Sequence, residues 1–140
     1  MRATPILGWV VLGGIVAALV VIPLWQRRVD PYKKPEFGEA SPISIDLEIR
    51  GEQIAQLNNS ADLMAVLRAG RHTRQHECSY QGKLILYYED GTTVEARLRP
   101  GHKDAYYEFS CANGLFAVPR PAFMSALAAA GVDTNQMPTK

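Results

Sequence analysis

KLILYYEDGTTVEARLRPG, residues 83–101, reads as two β-strands folded back on one another. The runs KLILYYE and TTVEARLR flank Asp90-Gly91. Asp-Gly tolerates the positive φ that tight hairpin turns require. In the second run Val94, Ala96 and Leu98 fall on one face, and Thr93, Glu95, Arg97 and Arg99 on the other. A period of two means one buried face and one wet face. The expected unit is an antiparallel sheet.

The pattern continues toward the C-terminus. AYYEFSC and LFAV are strand-like, bounded by Pro100-Gly101 and Asn113-Gly114, and Tyr107, Phe109 and Cys111 share a face. Adjacent residues of a strand point to opposite faces. One tyrosine of each adjacent pair therefore belongs to the core, which leaves Tyr87 or Tyr106 on the outer face. RPAFMSALAAAG then reads as a helix, with Pro121 in the first turn and Gly131 as the stop. Phe123, Leu127 and Ala130 are its packing residues.

Toward the N-terminus, HECSY reads as a strand and SADLMAVLRAG as a helix, with Ser60 as N-cap and Gly70 as stop. Leu63, Met64, Val66 and Leu67 form its apolar stripe. GEQIAQLNN suggests a short helical turn. ISIDLEI alternates without exception and is a strand. The expected fold is α+β: a small antiparallel-sheet domain over 43–131, with two or three helices on one face. A polar tail, 132–140, is expected to fray.

Ahead of this domain, ILGWVVLGGIVAALVVIPLW, residues 6–25, carries no charge. Twenty helical residues span about 30 Å, the thickness of a bilayer core. Trp9 and Trp25 lie near its ends, where indoles favour the interface. A cleaved signal peptide has a shorter apolar core and a small-x-small cleavage site. The run is too long for that and ends in bulky PLWQRR, so 1–25 reads as a single transmembrane anchor. Residues 26–42, with Pro31, Pro35 and Pro42, read as a Pro-rich basic linker.

Arg27, Arg28, Lys33 and Lys34 follow the anchor, against Arg2 and the amino terminus before it. The positive-inside tendency therefore puts the domain on the cytoplasmic side of the cell (inner) membrane. A Cys78–Cys111 disulfide would instead require the periplasmic side.

A net charge of +1 and 21% charged residues give no electrostatic case for nucleic acid. Glu89, Glu95 and Glu108 beside the tyrosines also speak against an RNA-reading sheet. RAGRHTRQHEC, residues 68–78, is the densest chemistry. His72, His76 and Cys78, with Cys111, would make a His₂Cys₂ zinc set. The spacing resists it. His72 and His76 share a face only in a helix, which Gly70 ends beforehand. In a strand they lie about 13 Å apart. A Cys–His nucleophile pair needs a third group to orient the base. The expectation is thus no metal, no cofactor and no enzyme.

Arg68, Arg71 and Arg74 suit either a helix C-terminus or a docking surface for an acidic partner or lipid head groups. Gly13, Gly14, Ala17 and Ala18 repeat small residues four apart, which lets membrane helices approach closely. The combined expectation is a single-pass accessory subunit that stabilises a larger membrane complex of bioenergetic type. Its partners are other membrane subunits and lipid head groups, with no nucleic acid. Arg27, Arg28, Tyr32, Phe37, Arg68, Arg71 and Arg74 would dock it. The alternatives are a tethered ligand- or metal-binding module, using the face of His72, His76 and Cys78, and an envelope assembly factor with a Cys78–Cys111 disulfide.

Overall fold

Seven antiparallel strands form a single sheet in the computed structural model, which describes residues 28–139. The expected anchor, its Gly13, Gly14, Ala17 and Ala18, and Arg27 lie outside the described residues. Among the described residues no helix is long and apolar enough to cross a membrane.

The elements are β1 (Ser44–Ile49), β2 (Glu52–Leu57), α1 (Ala61–Arg68), β3 (Arg71–His72), β4 (Gly82–Tyr87), β5 (Thr93–Pro100), β6 (Tyr106–Cys111), β7 (Gly114–Pro119) and α2 (Arg120–Ala129). A short 3₁₀ turn covers Thr134–Gln136. The sheet order is β2-β1-β4-β5-β6-β7-β3. The hairpin read from 83–101 is present, with Leu84 opposite Ala96 and Tyr87 opposite Thr93.

GEQIAQLNN is not a helical turn. It supplies β2, paired with β1 through Arg50-Gly51, whose φ values are 53° and 85°. Two positive φ values in a two-residue loop are the hairpin signature. Ala, Gln, Leu and Glu favour helix when alone, and pairing with β1 outweighs that preference. HECSY is not a strand either. The strand lies earlier, where Arg71 pairs with Ala117 and His72 with Phe116. Gly70 permits this sharp exit from α1, because a Cβ there would stand 3.0 Å from both Leu67 O and Phe109 Cζ.

One sheet face forms the core. Ile45, Leu47, Leu84, Leu98, Phe109 and Val118 are fully buried on it. Over them α1 lays Leu63, Met64 and Leu67, and α2 lays Phe123, Ala126 and Leu127. Burying each large apolar side chain contributes about 1.5–3 kcal/mol. Of the tyrosine pairs, Tyr88 and Tyr107 are buried and Tyr106 is exposed.

Residues 28–42 are not a free linker. Phe37 is buried in the core, its ring 5.6 Å from that of Phe109. The Tyr88 hydroxyl donates to the Phe37 carbonyl. Arg68 Nη2 donates to the carbonyls of Gly38, Glu39 and Ala40 at 3.3, 3.3 and 2.9 Å. Asn113 Nδ2 reaches Lys34 O at 2.8 Å, and Asp30 N–H donates to His72 Nδ1 at 2.9 Å. The segment is a strap fastened along the domain. Prolines stiffen a chain without preventing it from docking, and a single large aromatic supplies the anchor point. The tail is fastened too: Val132 and Met137 are buried, and the Tyr107 hydroxyl donates to Pro138 O at 2.7 Å.

Topology then dictates one more feature. β3 lies at the edge beside β7, whereas β4 lies beside β1. Residues 73–81 must therefore cross β7, β6 and β5. They cross on the face opposite the helices, since they bond to Arg99, which points away from buried Ala96 and Leu98. Thr73 N–H donates to Leu115 O at 2.9 Å at one end, and Gln81 N–H to Leu98 O at 2.9 Å at the other.

Candidate metal centre

The crossing loop rests on a buried ion pair. Arg99 and Glu108 point outward from neighbouring strands β5 and β6 and are register partners. Arg99 Nε donates to Glu108 Oε2 at 2.9 Å. Arg99 Nη1 donates to the carbonyls of Cys78 at 2.8 Å and His76 at 3.4 Å. Tyr80 places its ring 5.0 Å from the Arg99 guanidinium. A charged pair set between two strands of a sheet is thus covered by the loop, and Arg99 is only 1% exposed. Its spare donors fix the loop backbone on either side of Glu77.

That backbone aims two side chains at a third. His76 Nδ1 lies 3.3 Å from Cys78 Sγ and 3.1 Å from His102 Nε2. Cys78 Sγ lies 3.5 Å from His102 Nε2. His102 comes from the turn between β5 and β6. The other nitrogen of His76, Nε2, lies 2.9 Å from Glu108 Oε2. An ionised carboxylate only accepts, so in the tautomer with the proton on Nε2 this nitrogen donates to Glu108. Nδ1 is then left with its lone pair directed at Cys78 and His102. Arg99 Nη2, which can only donate, lies 3.0 Å from the same Nε2 and competes with Glu108 for it in the other tautomer; an ion on Nδ1 would select the Glu108 contact.

This triangle is close to, and slightly smaller than, the one a tetrahedral ion requires. Bonds of roughly 2.0–2.1 Å to nitrogen and 2.3 Å to sulfur at tetrahedral angles put ligand atoms about 3.3–3.6 Å apart. The observed edges are 3.1, 3.3 and 3.5 Å. Two imidazoles and a thiolate suit Zn²⁺ or a copper ion rather than a hard cation. Glu108 on the remote nitrogen of His76 supplies the carboxylate–histidine contact that orients metal ligands. Among the described residues this is the only set of three such donors able to converge on one point.

A nucleophile reading is weaker on the same geometry. Cys78, His76 and Glu108 do stand in the order nucleophile, base, orienting acid. Acyl transfer also needs free amide donors beside the nucleophile. Cys78 N–H is already spent on His76 O at 3.2 Å. His102 would also be redundant.

A cleft of about 750 Å³ adjoins the triad. His76 and His102, but not Cys78, form part of its wall, Ala69, Tyr106, Ala117 and Pro119 its apolar lining, and Arg71, Arg74 and Lys103 its charged lining; all three donors together line a neighbouring recess of about 350 Å³.

The other residues singled out from the sequence fall elsewhere. His72 is not in the triad: its ring packs 5.5 Å from that of Phe116, and its Nδ1 accepts from Asp30. Burial, and then the Lys33 charge, hold its pKa below the usual value, with Asp30 opposing. Cys111 faces the helices, on the opposite side of the sheet from Cys78. Both thiols are free, so no Cys78–Cys111 disulfide is present. Burial, with Glu36 adding, pushes the Cys111 thiol up to about 12. Of the docking candidates, Phe37 is buried and Arg68 is bound to the strap, whereas Tyr32, Arg71 and Arg74 are exposed. Arg28 lies in the strap and is exposed. His102 was not legible as a ligand, because Pro100-Gly101 reads only as a turn. Comparison with known protein families, with characterised proteins and with solved structures finds no match.

Proposed function

We propose that this chain is a membrane-tethered metal-binding module. It holds one Zn²⁺ or copper ion between His76 Nδ1, Cys78 Sγ and His102 Nε2. The observation that carries this is the triangle of donor atoms with edges of 3.1, 3.3 and 3.5 Å. Three protein ligands leave a fourth position for water or another donor, the pattern of reactive or exchanging sites rather than closed structural ones. The domain is a binding module and not an enzyme.

Metal content of the full chain, purified in mild detergent, tests this. One equivalent of ion is expected, lost in Cys78→Ala and His102→Ala and retained in His72→Ala and Cys111→Ala. Stoichiometric metal in the first two variants would sink the assignment.

A second reading is an accessory subunit docked on a larger membrane complex of bioenergetic type. The strap supports it. Fastening from Asp30 to Ala40 leaves only a short stretch of chain between the domain and the apolar run. That suits a fixed neighbour better than free diffusion on a tether. The anchor's small residues Gly13, Gly14, Ala17 and Ala18, exposed Tyr32, and lipid head groups near Arg27 and Arg28 are its contacts. The flanking charges favour a cytoplasmic domain, which also suits two free thiols. Copurification of a stoichiometric partner in mild detergent is expected. Exchanging Arg27 and Arg28 for Glu should weaken or invert the topology.

A further inference from the structure

The cleft beside the triad has a composition of its own. Arg71, Arg74 and Lys103 are exposed on its lining. Among the described residues that line it the only carboxylate is Glu108, already engaged by Arg99 and His76. Ala69, Ala117, Pro119 and the exposed Tyr106 ring supply apolar surface between the charges. A volume of about 750 Å³ lies in the range of small-molecule sites, which combine apolar walls with a few directing polar groups.

The proposed metal adds to the same charge balance. A divalent ion with one thiolate and two neutral imidazoles carries a net charge of +1. Three protein ligands leave one tetrahedral position vacant. Both the ion and the cleft therefore call for a negative donor. Guanidinium groups match planar oxyanions in shape as well as charge.

We propose that the cleft binds a small organic carboxylate whose oxygen takes the fourth position on the metal. Arg71 and Arg74 grip the carboxylate charge, and Tyr106 and Pro119 receive the apolar body. This rests on the metal assignment at His76, Cys78 and His102 and adds the class of its ligand. No bond is made or broken in the ligand; it displaces coordinated water.

Cobalt provides the test. The full chain in detergent is loaded with Co²⁺, whose visible absorption responds to the fourth ligand, and titrated with benzoate. Saturable change in the cobalt bands is expected. Arg71→Glu with Arg74→Glu should weaken that response about tenfold or more, normalised to bound cobalt, as a charge-assisted contact implies. Tyr106→Ala should weaken benzoate more than acetate. A cobalt spectrum indifferent to benzoate overturns this inference and leaves the metal centre standing. Inorganic phosphate acting as well as benzoate also overturns it, because charge alone would then suffice. If Co²⁺ itself does not bind, the metal centre fails and this inference fails with it.

Discussion

Arg99 and Glu108 meet at 2.9 Å on the outer face of the sheet, and Glu108 in turn holds His76 at 2.9 Å. A buried ion pair is a weak source of stability, because desolvation offsets most of the attraction. Here its role is positional. It fixes the backbone of the crossing loop from below and the His76 ring from behind. Arg99→Ala is expected to cost about 3–5 kcal/mol, since it strands a buried carboxylate. Urea unfolding of the metal-free chain measures this. Arg99→Met with Glu108→Leu should recover most of the stability but not the metal affinity. Recovery of both would show that the pair does not orient the site.

Glu108→Gln separates orientation from charge. Loss of a carboxylate behind a ligating histidine typically weakens metal binding about 10–100-fold. Competition against a chelating dye reads the change. Unaltered affinity would remove Glu108 from the site.

The two thiols should behave differently. Cys78 is exposed and Cys111 is buried. With its pKa pushed up to about 12, Cys111 is a neutral thiol through the ordinary range and reacts poorly. A maleimide is expected to modify one cysteine quickly and the other only after unfolding. Zn²⁺ should protect the fast one. For Cys111 the folded pKa is raised, so its contribution is complete below the unfolded value of 9.0 and is lost as pH rises toward about 12. Fast labelling of Cys111 in the native chain would contradict its place on the core face.

Acid should loosen the strap. The folded state holds the His72 pKa below 6.5, chiefly by burial, then through Lys33. Its folded form is thus the neutral one, with Nδ1 accepting from Asp30 N–H. The contribution is complete above 6.5 and is lost as pH falls through the lower folded value. Hydrogen exchange at Asp30, corrected for the intrinsic rate, should accelerate on acidification below 6.5. His72→Gln keeps an acceptor without a titrating group and should flatten the dependence.

Phe37→Ala tests whether the strap belongs to the domain. Truncating a buried Phe costs about 3–5 kcal/mol. A loss below 0.5 kcal/mol, roughly what surface changes produce, would mean that the strap is dispensable.

Most of the sheet was legible because its pattern is local. The alternation in Val94, Ala96 and Leu98 and the Asp90-Gly91 turn need no knowledge of distant residues. β2 was not, because EQIAQL has helix-forming composition and is held by its neighbour. The strap was not legible, because a lone Phe37 between prolines carries no periodicity. The site was half legible. His76 and Cys78 lie two apart in one dense polar stretch, but the third donor of the proposed site sits 26 residues from His76, in a turn. No local rule brings His102 to a loop that crosses three strands. Arg99 looked like one more outward charge, since alternation says which face a residue is on and not what later covers that face.

The crossing of β7, β6 and β5 by residues 73–81 also sets a timetable. His76 and Cys78 leave the ribosome before His102 and before the strands that position all three. Contacts of long sequence separation form late, because their loop closure must come first. Until His102 is in place, a chain that is still folding offers metal only two of the three donors that converge in the native fold. Loading of the proposed ion would therefore wait for the completed sheet, and the ion would bind the native form in preference to earlier ones. By mass action such an ion raises the stability of the finished fold without trapping its precursors. Metal occupancy would then report that the molecule has been built correctly.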